Sequence, residues 1–365
     1  MIFEINRETL LRPLSQVANI VERKQTLPIL SNVHMKLEDG SLSFTSTDLE
    51  IEIVASVDMD NGTAGEVTVG ARKLLDISRA LPEGSILTFT RDGNKVVVKS
   101  GSSKFVLHTL PADEFPRIQE QTWAGELKVD GATIKQLIDR TSFAMANQDV
   151  RYYLNGLFMS MDEGKLTAVA TDGHRLAKSE ISDDDFEAKF EIIVPRKAVQ
   201  EVSRLLGDSN NDIAVSINNN HIMFEISDVR FTSKLIEGRF PDYKNVIPIG
   251  QNVHIDMDRQ SFRIALQRAS ILTNDKFKGI RMEIKPGELT IVANNPEQEE
   301  AYEHIDIDYT GEPIDIGFNV AYMLDALGAL DSETVQIGLT DNTSSSLIQE
   351  PGNDATVYVV MPMRI

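Results

Sequence analysis

The chain has 365 residues, of which 41% are hydrophobic and 25% are charged, a balance typical of a folded globular protein with two or three domains. It contains no cysteine, which excludes a disulfide scaffold, a thiol nucleophile and a cysteine-rich zinc site, and which fits a reducing cytoplasm. The net charge of −20, taken alone, argues against a nucleic-acid partner, because phosphate contacts need Lys and Arg.

The first third of the chain predicts a strand that leads into a helix, then a hairpin, then a second strand and helix. The first helix is expected over 6–24 and the second over 71–81, each with an apolar stripe at helical spacing. Between them, residues 32–53 alternate apolar and polar side chains around Asp39-Gly40, which indicates a hairpin.

The second third repeats this order. Helices are predicted over 131–145 and 195–206, each preceded by a strand. A hairpin is predicted over 155–178, with its turn at Glu163-Gly164. The segment Thr171-Asp172-Gly173-His174-Arg175 resembles a catalytic motif in composition. Because Asp48 stands 124 residues earlier in the same pattern, we expect Asp172 to stabilise a turn or a cap.

The last third repeats the order again, with helices expected over 258–272 and 319–330 and a hairpin over 278–301. The turn glycines Gly40, Gly164 and Gly287 are 124 and 123 residues apart. The acidic segment 294–300 could bind a cation, but a solvated loop or a protein contact fits it better.

These matched segments predict an α+β protein of three repeated domains, at residues 1–122, 123–251 and 252–365. The repeat by itself leaves open a duplicated scaffold in which each copy has a different function.

The charges are divided between the predicted elements. The six helices contain 15 Lys or Arg and 7 Asp or Glu, a net charge of +8, which leaves −28 for the rest of the chain. If the helices share one side, that side is basic and tolerates phosphates, while the sheets and loops repel them. Contacts to phosphates alone carry no base-sequence information.

No catalytic signature is recognisable. The sequence lacks GxxxxGK[ST], HExxH, GxSxG and the dinucleotide fingerprint, and its six histidines show no close pair at metal-ligand spacing. We therefore expect a non-enzymatic protein without metal or cofactor.

Several long segments resemble the bacterial beta sliding clamp family, the beta subunit of DNA polymerase III. They are TLPIL at 26–30, DVRYYLNG at 149–156, ATDGHRLA at 170–177, IVPRK at 193–197, FTSKLIEGRFPDY at 231–243, NNPEQEEA at 294–301, IGFNVAY at 316–322 and YVVMPMRI at 358–365. The resemblance covers the whole chain. It implies three clamp domains per chain, helices lining the lumen of a ring, antiparallel sheets outside, and a head-to-tail homodimer.

The resemblance also implies three sets of site residues. Duplex DNA, without sequence preference, would contact Lys24, Arg72, Gln148, Tyr152, Tyr153, Arg196 and Lys197. The dimer would be formed by Lys104, Phe105 and Leu107 against Ile271, Leu272, Glu297, Glu299 and Glu300. Short hydrophobic peptides from the polymerase III catalytic subunit, the clamp loader, other polymerases and repair proteins would bind Leu154, Thr171, Gly173, His174, Arg175, Leu176, Pro241, Val246, Phe277, Asn319, Tyr322, Ser345, Val359, Val360, Met361, Pro362 and Met363.

The function implied is that of a cytoplasmic processivity factor that encircles DNA and tethers replication and repair proteins, with no membrane partner. Two rival readings are a repeat-built nucleic-acid-processing enzyme, which would need a carboxylate cluster for metal, and a structural module that does not bind DNA.

Overall fold

The structure is a computed structural model that describes residues 1–21, 27–119, 121–184, 186, 188–207, 211–274 and 276–364. The helices of these residues are α1 (Arg7–Ala18), α2 (Ala71–Ala80), α3 (Gly131–Thr141), α4 (Arg196–Leu206), α5 (Arg259–Ser270) and α6 (Val320–Gly328). A helix is present at each of the six predicted places, but α1 ends at Ala18 and α3 at Thr141, before the predicted ends at residues 24 and 145.

The strands occur between these helices in a repeated order. They are β1 (Ile2–Asn6), β2 (Asn32–Glu38), β3 (Ser41–Thr47), β4 (Ile51–Asp58), β5 (Gly65–Gly70), β6 (Ile86–Asp92), β7 (Lys95–Ser100), β8 (Ser103–His108), β9 (Gly125–Asp130), β10 (Gly156–Asp162), β11 (Lys165–Thr171), β12 (Arg175–Ser182), β13 (Phe190–Pro195), β14 (Asp212–Ile217), β15 (His221–Ile226), β16 (Val229–Lys234), β17 (Val253–Asp258), β18 (Gly279–Lys285), β19 (Glu288–Asn294), β20 (Glu300–Asp306), β21 (Ile314–Asn319), β22 (Thr334–Leu339), β23 (Ser346–Glu350) and β24 (Asn353–Val360).

The last residue of the preceding strand caps the N-terminus of the first helix in each repeat. Asn6, Asp130 and Asp258 occupy this position, and each side-chain oxygen accepts a hydrogen bond from a backbone N–H in the first turn of the helix. This contact satisfies a donor that has no partner inside the helix. The change from strand to helix is therefore fixed locally, by one polar side chain.

The predicted hairpins are confirmed, with their turns at the expected residues. At Asp39-Gly40 and Glu163-Gly164 both residues have positive φ, between 50° and 76°, as a two-residue hairpin turn requires. Proline cannot adopt a positive φ, so in the third hairpin only Gly287, at 83°, lies in this region.

The contacts divide the chain into two compact units. Unit 1 contains residues 1–132 and 200–235, and unit 2 contains residues 133–199 and 236–365. Unit 1 has a four-stranded sheet, β1-β6-β7-β8, and an eight-stranded sheet, β5-β2-β3-β4-β16-β15-β14-β9. Unit 2 has β20-β19-β18-β21 and β13-β10-β11-β12-β24-β23-β22-β17. All strand pairs in the described ladders are antiparallel.

Each eight-stranded sheet joins four strands of one repeat to four of the next. In unit 1 the junction is β4 with β16, where Ile53 lies opposite Phe231. In unit 2 it is β12 with β24, where Ala177 lies opposite Tyr358. The repeats are thus connected by continuous backbone hydrogen bonding within each unit.

A helix pair covers the core of each unit. In unit 1, α1 packs against α2 and buries Leu10 and Leu14 completely. In unit 2, α5 packs against α6 and buries Phe262 and Leu266. Truncating a buried Phe to Ala typically costs about 3–5 kcal/mol of folding stability, so these pairs contribute strongly to the fold.

Candidate functional site

Unit 2 contains a buried apolar cluster on one face of its large sheet. We call it the groove cluster, and it consists of Ala146, Leu154, Phe158, Val169, Leu176, Ile193, Phe240, Leu347, Val357 and Val359. Its centre is the junction of β12 and β24, where Leu176 lies opposite Val359. Leu154, Leu176 and Val359 belong to three separate elements, and the fold brings them together as the resemblance implied.

The segment after β16 packs on this face. Phe240 stacks on Phe158 with 5.0 Å between ring centroids, and Tyr243 tilts against the same ring at 5.9 Å. The backbone N–H of Ile236 donates to the carbonyl oxygen of Ile193 at 2.9 Å. Burial is the main cause that raises the pKa of the Tyr243 hydroxyl, which stays neutral and suits an apolar wall.

The C-terminal tail follows β24 and is hydrogen-bonded to unit 2 at two points. The N–H of Met361 donates to the carbonyl oxygen of His174 at 2.9 Å, and the N–H of Met363 donates to that of Gly317 at 2.8 Å. Pro362 has no N–H, so these two bonds flank a position that cannot donate. The tail is therefore held in place, with the side chain of Met361 46% exposed beside the cluster.

Asp172 stabilises the turn between β11 and β12. Its Oδ1 accepts from the backbone N–H groups of His174, at 2.9 Å, and Arg175, at 3.1 Å. Asp48 accepts from Glu50 and Ile51 in the same way. The prediction of a structural role for this aspartate is confirmed, and its cause is the hydrogen-bonding capacity of a short carboxylate in a turn.

Arg175 links this turn to helix α6. Its guanidinium donates to Asp172, to Asp325 at 2.6 Å and to the carbonyl oxygen of Phe143 at 2.7 Å. The same group lies 4.4 Å from the ring centroid of Tyr322. Since these contacts come from several directions, the Arg175 guanidinium is held in one place, over the ring of Tyr322.

A cavity of about 490 Å³ adjoins the turn. It is lined by Phe143, Met145, Ala146, Asn147, Gln148, Asp149, Asp172, His174, Arg175, Arg196 and Tyr322. Its wall therefore combines residues predicted for peptide binding with Gln148 and Arg196, which were predicted for DNA binding. No motif in the sequence indicated that these two sets of residues share one cavity.

The other predicted peptide-binding residues lie around this centre. The side chain of Asn319 caps α6 by accepting from Ala321 N–H at 2.9 Å, and its Nδ2 donates to the carbonyl oxygen of Phe277 at 3.4 Å. The hydroxyl of Thr171 donates to the carbonyl oxygen of Arg175 at 2.6 Å. Ser345 is half-buried, whereas the rings of Pro241 and Phe277 and the side chain of Val246 are exposed, and Gly173, Val360 and Pro362 belong to the turn, strand and tail already described.

The sequence reasoning missed much of the cluster. The residues that were missed are apolar and lie on strands of the eight-stranded sheet; they are Phe158, Val169, Ile193, Leu347 and Val357. Successive side chains of a strand point to opposite faces of the sheet, but this alternation does not show which face carries the cluster.

Comparison with protein families gives three consecutive matches. The N-terminal, central and C-terminal domains of the DNA polymerase III beta subunit match residues 1–119, 128–242 and 244–364. The chain is 47% identical to the beta sliding clamp of Pseudomonas putida over 367 residues and 45% identical to that of Escherichia coli over 366, with all of each chain covered.

The chain belongs to the DNA polymerase III beta subunit family. Solved structures agree: the beta subunit from Pseudomonas aeruginosa has a TM-score of 0.97 at 46% identity, and the pol III beta of Caulobacter crescentus has 0.96 at 35%. Both are covered completely, as is this chain. The α+β fold of three clamp domains is thus confirmed.

The family resemblance predicts that DNA contacts a loop of unit 2, at residues 148–153. In this loop Gln148 is exposed and has a φ of 57°, and Tyr152 is 58% exposed, while Tyr153 is half-buried against it. Arg151, which the sequence reasoning did not select, donates to both carboxylate oxygens of Asp149, at 3.0 and 2.8 Å. The bidentate pair holds the loop in a defined shape. Lys24 lies outside the described residues.

The predicted DNA contacts on the helices have a structural role as well. The Arg72 guanidinium donates to the carbonyl oxygen of Val21, and that of Arg196 donates to Met145, each at 2.8 Å. Arg72 is exposed and Arg196 is half-buried, as is its neighbour Lys197. Arg72 and Arg196 are therefore also anchored to the backbone, which the charge count could not show.

The residues predicted for the dimer lie at sheet edges and a helix end. Lys104, Phe105 and Leu107 belong to β8, an outermost strand of unit 1, and Glu300 begins β20, an outermost strand of unit 2. Glu297 and Glu299 are exposed in the turn before β20. Ile271, 77% exposed, and Leu272 follow α5.

Neither a metal-ligand cluster nor a membrane-spanning helix is present among the described residues. No group of three or more His, Asp or Glu there could hold a metal ion. In the same part of the chain, no helix is long and apolar enough to span a bilayer.

Proposed function

We propose that two copies of this chain form a closed ring around duplex DNA and tether replication and repair proteins to it. The protein acts as a processivity factor, without catalysis or cofactor, in the cytoplasm, where bacterial DNA lies. The domains proposed for this role are residues 1–122, 123–251 and 252–365, with the first and third at the dimer contacts.

The observation that carries the proposal is the pattern of sheet junctions. Within the described residues, β4 pairs with β16, and β12 pairs with β24. In the third repeat β20 is the equivalent of β4 and β12, and in the first repeat β8 is the equivalent of β16 and β24. Neither β20 nor β8 has a neighbouring described strand on its outer edge. Free edges of this kind attract a further strand. A second copy of the chain supplies the matching strand, and two such junctions satisfy both chains.

The internal junctions also supply a register for the dimer. Phe105 is equivalent to Phe231 and Tyr358, and Ala301 is equivalent to Ile53 and Ala177. Continuing the pattern places Phe105 opposite Ala301 of the partner chain, and Lys104 opposite Tyr302. The neighbouring Ile271 and Leu272 are available to bury the aromatic ring.

The groove cluster supports the tethering role. A short peptide with apolar residues can bury them against Leu176, Val359 and the methionine side chains of the tail, and such flexible side chains adapt to several partners. The proposed ligands are short segments of the polymerase III catalytic subunit, the clamp loader, other polymerases and repair proteins.

DNA is proposed to contact the protein through Lys24, Arg72, Arg196 and Lys197, with Gln148, Tyr152 and Tyr153 beside them. Contacts from anchored guanidiniums to phosphates give affinity that does not depend on base sequence. A ring that makes only such contacts can slide.

The decisive experiment measures retention on DNA. After loading by a clamp loader, the protein should remain on nicked circular DNA during gel filtration and dissociate once the circle is cut. Equal retention on circular and linear DNA would contradict encirclement. Loss from both would favour a module that does not hold DNA.

A further inference from the structure

The face that carries the groove cluster has a counterpart in unit 1. The β3–β4 ladder begins with Thr47 opposite Glu52, and the β11–β12 ladder begins with Thr171 opposite Leu176. The two hairpins therefore align without a gap, and Glu52 is the equivalent of Leu176.

The counterpart face has the opposite chemistry. The groove cluster contains seven sheet residues, Phe158, Val169, Leu176, Ile193, Leu347, Val357 and Val359, and the same ladder positions in unit 1 hold, in that order, His34, Thr45, Glu52, Thr68, Met223, Arg230 and Thr232. Six of the seven apolar positions are thus polar in unit 1.

Several of these polar residues are buried. Glu52 is 5% exposed, and Thr45, Thr68 and His34 are 2% exposed or less. Within the described part of the chain, Thr45 Oγ1 and His34 Nδ1 are buried without a hydrogen-bond partner. Buried polar atoms without partners are unfavourable, so packing alone does not account for this composition.

The connecting segment between the first two repeats covers this face through polar contacts. The N–H of Ile118 donates to Glu52 Oε2 at 3.1 Å, and the N–H of Leu110 donates to Thr68 Oγ1 at 3.1 Å. Phe115 stacks on His34 at 5.4 Å, at the position where Phe240 stacks on Phe158 in unit 2. The two segments therefore follow similar paths but use different chemistry.

We infer that this polar face is what limits each chain to one groove for apolar peptides, and that Glu52 with Thr232 determines this specificity. The inference rests on the proposed function of the unit 2 groove. At the centre of the junction, unit 2 pairs Leu176 with Val359, whereas unit 1 pairs Glu52 with Thr232.

The physical basis is the cost of removing a carboxylate from water. An apolar side chain placed against Glu52 would remove its remaining solvation without offering a hydrogen bond. It would also have to displace the Ile118 N–H, the one donor that Glu52 has in the described residues. Rejection of a ligand by an unsatisfied polar group is a general source of specificity.

The test exchanges the central pair. The variant Glu52→Leu/Thr232→Val should bind a second equivalent of a peptide that ends in Leu-Phe, so that the stoichiometry in isothermal titration calorimetry rises from one to two per chain. The matched control Glu225→Leu changes an exposed carboxylate on β15 and should keep the stoichiometry at one. A folded exchange variant that still binds one peptide would overturn the inference.

The reverse exchange keeps the inference testable if the first variant does not fold. Leu176→Glu/Val359→Thr places the unit 1 pair in unit 2 and should weaken peptide binding at least 100-fold with cooperative unfolding retained. Unchanged affinity would contradict the inference.

A dye-binding measurement separates failure of this inference from failure of the proposed function. If the wild-type protein binds no peptide, the exchange variant should still bind one additional equivalent of the fluorescent dye bis-ANS per chain compared with wild type, because the centre of its unit 1 face is newly apolar. The same dye stoichiometry in both proteins would then reject the inference on its own.

Discussion

Single side chains define the shape of the proposed DNA-contacting loop. Hydrogen bonds from Arg151 lower the pKa of Asp149 to about 2. Since a lowered carboxylate pKa favours the folded state above the ordinary value near 4, the contribution of this pair is present at neutral pH and is lost as the pH falls toward 2. The loop should therefore keep its shape in mildly acidic buffer.

This titration can be measured directly. Following the Asp149 carboxyl carbon by NMR should give a midpoint near 2, and Arg151→Ala should return it toward the ordinary value. Substituting Arg281, which pairs with Glu283 elsewhere in unit 2, is the control and should leave the midpoint unchanged. An Asp149 midpoint near 4 in the wild-type protein would contradict the pairing.

Arg175 is a second decisive side chain, because one planar guanidinium contacts Asp172, Asp325 and the Phe143 carbonyl oxygen. Lysine keeps the charge but cannot reproduce this fork. We expect Arg175→Lys to lower the free energy of unfolding by about 1–3 kcal/mol in urea titrations, since charge-assisted bonds are lost. Asp325→Asn removes the negative charge of one half-exposed partner and keeps an acceptor oxygen, so it should cost less than about 1 kcal/mol. Equal losses of unfolding free energy for the two variants would show that the planar arrangement of the Arg175 hydrogen bonds is unimportant.

Arg72 illustrates how one residue can serve two roles. It is tied to the Val21 carbonyl oxygen and remains exposed. If it also contacts phosphate, Arg72→Ala should weaken binding equally on unrelated DNA sequences and lower the slope of log K against log salt by about 1. Arg281→Ala is the matched control. A loss confined to one DNA sequence would indicate base recognition and contradict a sliding ring.

At the scale of elements, we expect the C-terminal tail to form a wall of the proposed peptide groove rather than to fill the core of the third domain. It is held by two backbone hydrogen bonds, at Met361 and Met363, and the Met361 side chain remains 46% exposed. Deleting residues 361–365 should abolish peptide binding in fluorescence anisotropy and lower the melting temperature only slightly, because little apolar area is uncovered in the core. A large fall in melting temperature with retained peptide affinity would reverse this assignment.

The predicted helices and hairpins could be recognised because they depend on local signals in the sequence. The starts of α1, α3, α5 and α6 were encoded by an Asn or Asp at the end of the preceding strand, and each predicted hairpin by a glycine at a position of positive φ. These are local rules, so they can be read from neighbouring residues. The long-range hydrogen bonds of Arg72 and Arg196 obey no such rule and were not foreseen.

At the scale of the whole molecule, the register of the proposed dimer is open to a direct test. The chain contains no cysteine, so introduced thiols cannot pair with others. Lys104→Cys/Tyr302→Cys should give a covalent dimer on mild oxidation, because directly opposed strand residues have Cα atoms within disulfide range. Lys104→Cys/Glu303→Cys, shifted by one residue to the other sheet face, should not. Efficient cross-linking of the second variant alone would disprove the register.

The repeat determined much about this protein from the sequence alone. Spacings of 124 and 123 residues gave the number of domains and the order of their elements, since turns and caps depend on local chemistry. Long matching segments gave the family. The site residues near Asp172 could be chosen because they occupy recognisable motifs.

Only the tertiary structure decided how the repeats differ. The sequence shows that position 176 is Leu and position 52 is Glu, but both belong to similar alternating strands. That both side chains are buried at a junction of two repeats within one sheet, one beside Val359 and the other beside Thr232, depends on strand pairs separated by more than 170 residues. Burial sets the energy of a charge or a methyl group, and burial is decided by these distant partners.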